Sequence, residues 1–79
     1  MTIEDYGALL EAQGYGCAIC GTDEPGGKWN THFAVDHNHK SGKIRGLLCG
    51  HCNVMLGNAK DNPAVLMAAA RYLTERGID

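Results

Sequence analysis

Cys17-Ala18-Ile19-Cys20 and, after twenty-eight intervening residues, Cys49-Gly50-His51-Cys52 decide how this chain is built. A two-residue gap makes a tight turn that aims both sulfurs the same way, so two such pairs can place four thiolates tetrahedrally around one zinc ion. A redox role would need one pair in a thioredoxin-like βαβ setting, and the sequence has none. Disulfides depend on the compartment. The start, Met1-Thr2-Ile3-Glu4-Asp5, lacks the basic and apolar regions of a secretory leader, and no apolar run approaches the length of a membrane span. A reducing cytoplasm is therefore the expected location, and there paired cysteines act as metal ligands. The spacing between the pairs exceeds that of a plain zinc ribbon, so the intervening segment reads as a functional insert.

Length points the same way. With 79 residues the chain is expected to form a single domain, residues 1–79, too small to be held by apolar burial alone. A structural metal contributes folding free energy directly and suits such a chain.

The insert carries an unusual charge. The formal net charge of the chain is −2, yet residues 28–45 hold Lys28, Lys40, Lys43 and Arg45 against Asp36 alone, a net of +3 that leaves −5 elsewhere. A basic segment on an otherwise acidic chain is the local footprint a phosphate-binding surface requires.

Outward from the cysteines, local signals outline the elements of a small α+β domain. Thr2, with Asp5 three positions on, caps a first helix through Ile3, Tyr6, Leu9 and Leu10, which Gly14 and Gly16 end. Glu24-Pro25-Gly26-Gly27 is turn chemistry. A strand is expected within Trp29–Val35, with Phe33 and Val35 on one face, then a turn from His37 to Lys43 with Ser41-Gly42 at its tip, and a returning strand Ile44–Leu48. A second helix starts at Gly50 and runs to about Asn58. Asp61-Asn62-Pro63 begins a third, with Asn62 as cap and Pro63 at the first helical position, continuing to Arg76 before Gly77. The apolar spacing of this third helix favours packing against its own domain over a homodimer contact.

Asp36-His37-Asn38-His39 lies within the insert. Hydrolysing a phosphodiester needs a divalent cation to stabilise charge, a base to activate water, and cations to hold the backbone. Asp36 offers a hard oxygen ligand for Mg²⁺ or Mn²⁺. His37 offers the base, and Asn53, next to Cys52, a second oxygen ligand. Lys40, Lys43 and Arg45 are the candidate phosphate contacts, although turn-tip lysines are often merely solvated and Arg45 can instead pair with Asp36. His32 and His51 read as surface residues, and four thiolates leave no zinc position for His51. Trp29 and Phe33 read as core, with base stacking as a second use of Trp29.

The strings Val35-Asp36-His37-Asn38-His39, Gly42-Lys43-Ile44-Arg45-Gly46-Leu47-Leu48-Cys49, Cys52-Asn53 and Leu56-Gly57, with Leu9-Leu10-Glu11-Ala12-Gln13-Gly14 ahead of the first pair, resemble the endonuclease VII branch of the His-Asn-His nucleases of phages. The resemblance covers about Ile3 to Leu73. It implies a zinc-stapled ββα-metal (His-Me finger) fold with flanking helices, and structural zinc on Cys17, Cys20, Cys49 and Cys52. It also implies a catalytic divalent ion on Asp36 and Asn53, His37 as general base, and His39 contacting phosphate or ordering the site. The implied activity is metal-dependent cleavage of duplex or branched DNA, in a host cytoplasm if phage-encoded. The junction-resolving member is a longer, intertwined dimer, so nicking is the simpler expectation. The competing reading is a zinc-dependent nucleic-acid-binding module without catalysis, which would not need the Asp36, His37 and Asn53 set.

Overall fold

The structure, a computed structural model, describes residues 1–26 and 32–77. Lys28 and Trp29, and the start of the expected first strand, lie outside the described residues. Helix α1 (Ile3–Ala12) precedes strands β1 (Ala34–His37) and β2 (Ile44–Leu48), helix α2 (Gly50–Asn58) and helix α3 (Pro63–Tyr72), which widens into a π-helical turn over Leu73–Gly77. The domain is small α+β: three α-helices and an antiparallel two-stranded sheet among the described residues.

Three helix starts follow from side-chain chemistry. Thr2 Oγ1 accepts from Asp5 N–H at 3.1 Å, and Asp5 Oδ2 accepts from Thr2 N–H at 3.2 Å, closing the expected capping box of α1. Asn62 Oδ1 accepts from Ala64 N–H at 3.0 Å, with Pro63 at the first position of α3. At α2 the cap is Cys49, whose Sγ accepts from Cys52 N–H at 3.4 Å. The second cysteine pair thus both starts a helix and presents a metal ligand, and the positive end of the helix dipole favours a thiolate there.

The strands differ from expectation in their limits. β1 begins at Ala34 and runs through His37, so the strand extends past Val35 over Asp36 and takes His37 from the expected turn. Ala34 and Asp36 are half-buried while Val35 and His37 are exposed. Phe33 precedes the strand and is buried, whereas Val35 is exposed. The Phe33 carbonyl accepts from Tyr6 Oη–H at 3.1 Å, which ties α1 to the entry of β1.

The pairs Ala34–Leu48, Val35–Leu47 and Asp36–Gly46 set a register that would bring His37 opposite Arg45. His37 instead pairs with Ile44, and Arg45 is left over as a β-bulge. The turn beyond is organised by Asn38. Its Oδ1 accepts from the N–H groups of Lys40 (2.8 Å) and Ser41 (3.0 Å), and its backbone bonds Lys43 and Gly42. This is an Asx-turn, with Gly42 at φ +75° completing it.

The core is built around sulfur. Cys17, Cys49 and Cys52 are buried together with Phe33, Leu47 and Leu48, and Tyr6, Leu9, Leu10 and Leu56 pack against them. The outer edge of β2 is closed by Gln13. Its Oε1 accepts from Leu47 N–H at 2.8 Å and its Nε2 donates to Leu47 C=O at 3.0 Å, while Ala18 N–H donates to the same carbonyl at 3.0 Å. The first cysteine turn is thereby docked on the sheet. Gly16 permits its tightness, because a Cβ there would lie 2.6 Å from Gly21 O.

α3 departs from expectation. It buries no residue, and Val65, Met67 and Tyr72 along it, with Leu73 just beyond, are exposed. The chain leaves α2 through Lys60 (φ +55°) and Asp61 (φ +58°), and of the apolar residues of the α3 that follows only Leu66 is half-buried.

Candidate active site and metal centre

Two chemical groupings stand out among the described residues. The first is the cysteine tetrad. The Sγ atoms of Cys17, Cys20, Cys49 and Cys52 all lie within 4.8 Å of one another, an arrangement able to hold a metal ion. Cys20 and Cys49 Sγ are 3.7 Å apart, and all four cysteines are free. Burial works against a Cys17 thiolate, but backbone N–H groups around it outweigh that and bring its pKa down to about 6. Burial, then the three neighbouring sulfurs, push Cys52 up to about 12. Packed sulfurs do not all ionise unaided; a cation among them would remove that conflict.

The second grouping lies where the hairpin meets the α2–α3 corner. Arg45, freed from strand pairing by the bulge, grips Asp36 with two parallel hydrogen bonds, Nε to Oδ2 at 2.7 Å and Nη2 to Oδ1 at 2.9 Å. The same Nη2 donates to Asp61 Oδ1 at 3.1 Å. His39 Nε2 lies 3.9 Å from Asp61 Oδ2, and the His37 and His39 rings are 5.1 Å apart, centroid to centroid. The Asp36 side chain is only 12% exposed. The Arg45 hydrogen bond, with further help from the charges on Arg45, His39 and His37, holds the Asp61 carboxyl below the ordinary carboxylate value. Two carboxylates in turn raise the proton affinity of Arg45.

A cleft of about 710 Å³ opens beside this cluster, lined by His39, Lys40, Arg45, Gly57, Lys60 and Asp61, among others. Asn53 is exposed in the first turn of α2, its N–H donating to Cys49 C=O at 3.0 Å. Residues four apart share a helix face, so Asn53 lies one turn from Gly57, which lines the cleft. Lys40 and Lys43 are exposed on the hairpin turn, and His51 is exposed outside the tetrad.

Asp61 went unnoticed in the sequence because Asp61-Asn62-Pro63 reads simply as a helix start. The cap is Asn62, which leaves the Asp61 carboxylate to reach Arg45. Lys60 and Gln13 likewise carry no sequence signal of their roles.

A family model described as recombination endonuclease VII matches residues 1–75. The chain is 45% identical over 74 residues to the Gene 59 protein of Mycobacterium phage D29, an alignment that covers 92% of this chain and 43% of that protein. It is 40% identical over 74 residues to the Gene 59 protein of Mycobacterium phage L5, again covering 92% of this chain and 43% of the relative. The chain therefore spans less than half the length of the curated relatives it matches. No solved structure matches it.

Proposed function

The chain belongs to the recombination endonuclease VII family, and from that premise we propose that it is a divalent-metal-dependent endonuclease that hydrolyses phosphodiester bonds in DNA. The supporting observation is the adjacency of Cys52 and Asn53: the cysteine cluster includes Cys49, which directly follows the hairpin that carries Asp36 and His37, and Cys52, which stands beside Asn53 on α2. We read the domain as a ββα-metal finger, residues 1–79, with zinc in the tetrad. Zinc–sulfur bonds of about 2.3 Å give a tetrahedron with edges of about 3.8 Å, close to the Cys20–Cys49 separation.

Asp36 and Asn53 supply the hard oxygen donors that suit Mg²⁺ or Mn²⁺. Such an ion neutralises charge on the scissile phosphate and the leaving oxygen. His37, exposed at the end of β1, accepts the proton of the attacking water through a ring nitrogen. His39, its ring tilted beside that of His37, contacts the phosphate or fixes the ring. Lys40 and Lys43 hold the flanking backbone, and Arg45 joins them once it leaves Asp36. Duplex or branched DNA in a phage-infected or lysogenic host is the proposed substrate and setting.

Nicking of supercoiled plasmid with Mg²⁺ or Mn²⁺ tests the reading. His37→Ala is expected to slow cleavage by about 10²- to 10⁴-fold. If neither ion gives cleavage that depends on His37, the enzyme reading is lost and the zinc-dependent binding module takes its place.

A further inference from the structure

The reaction proposed above has no task for Asp61, yet the chain adopts a costly backbone to present it. Lys60 and Asp61 are two successive non-glycine residues at positive φ at the end of α2. This conformation disfavours a Cβ-bearing residue, though an aspartate tolerates it better than most. The N–H groups of both are spent on closing the helix, onto Gly57 and Leu56 carbonyls, so what the corner offers outward is side chains.

Asp61 meets Arg45, and Arg45 occupies both oxygens of Asp36. A guanidinium is permanently charged and matches a carboxylate edge to edge. A divalent cation on the same oxygens shares their lone pairs with the guanidinium and is repelled by its charge, so the two positions compete. The geometry supplies an exit. Nη2 already bonds Asp61 Oδ1, so the group can leave Asp36 by turning about that contact, without crossing solvent unpaired. The bulge leaves the Arg45 backbone outside the strand pairing and so allows the turn.

We propose that Asp61 is a positioning residue, the second seat of the Arg45 guanidinium, which passes from Asp36 to Asp61 when a divalent cation takes the Asp36 carboxylate. In the metal-free protein Arg45 keeps Asp36 neutralised; with the cation bound, Asp61 keeps Arg45 beside the cleft, where its remaining donors face phosphate. The inference rests on reading Asp36 as a ligand of the catalytic ion.

Mn²⁺ titration of the zinc-loaded full chain, followed by the electron paramagnetic resonance of free Mn²⁺, tests it without recourse to activity. Asp61→Asn keeps a residue suited to the left-handed backbone and is expected to weaken Mn²⁺ binding by about threefold or more, because Arg45 then has only Asp36. Arg45→Gln is expected to tighten binding, and in that background Asp61→Asn should change nothing further. Should Arg45→Gln fail to fold, Arg45→Lys keeps the charge but cannot span two carboxylates, and it should show the same insensitivity. An equal effect of Asp61→Asn with and without Arg45 would make Asp61 a mere nearby charge and overturn the proposal. Mn²⁺ binding indifferent to Asp36→Asn would instead overturn the reading of the site on which the proposal stands.

Discussion

Among single residues, Gln13 carries the most for its size. Its carboxamide does for Leu47 what a third strand would do, taking the N–H and meeting the C=O of a residue with no exposed surface. Gln13→Ala leaves the N–H of the buried Leu47 without its protein partner. Such a loss costs about 1–3 kcal/mol, to be read as a lower urea midpoint at unchanged slope. Gln13→Glu keeps the acceptor but loses the donor, so it should fall between. None of this is legible in the sequence, where Gln13 is simply the last polar residue before Gly14. The bond joins positions 34 apart, and only tertiary packing creates it. The four cysteines stand at the other extreme, because their chemistry is intrinsic to residue type and close spacing announces their cluster.

Elements start where local chemistry says and stop where the sequence is silent. Thr2, Asn62 and Pro63 mark two helix starts because a cap bonds backbone only two or three residues away. The bulge at Arg45 could not be foreseen in the same way. A strict alternation sets Arg45 opposite His37, and only the paired register reveals the extra residue that turns its guanidinium onto Asp36. The end of α2 yields a direct test. Lys60 sits at φ +55° where glycine would be at ease. Lys60→Gly should stabilise the fold by about 0.5–1 kcal/mol, the relief of left-handed strain less the added freedom of the unfolded chain. A thermal melt showing a lower midpoint would mean that the lysine side chain contributes more to the corner than its backbone costs.

The molecule as a whole is organised from its sulfurs outward. Half of the fully buried cluster is cysteine, so a metal in the tetrad is part of the core and not an ornament on it. Structural zinc contributes about 10–16 kcal/mol in comparably small domains, as much as the whole stability of an ordinary domain. Strong chelation should therefore abolish the far-ultraviolet circular dichroism of the fold, whereas withdrawing Mg²⁺ alone should leave the spectrum intact and stop cleavage. A spectrum unchanged after zinc is stripped would refute the staple. The gathering of the four sulfurs was readable from two short cysteine spacings. The position of α3 was not, since an alanine-rich amphipathic pattern does not say which surface it meets. Because α3 secures no side chain in the interior, its amides are held by little beyond the helix's own bonds. In deuterated water they should exchange well before those of β2, so that the last fifth of the chain opens and recloses many times during one lifetime of the cysteine-centred core.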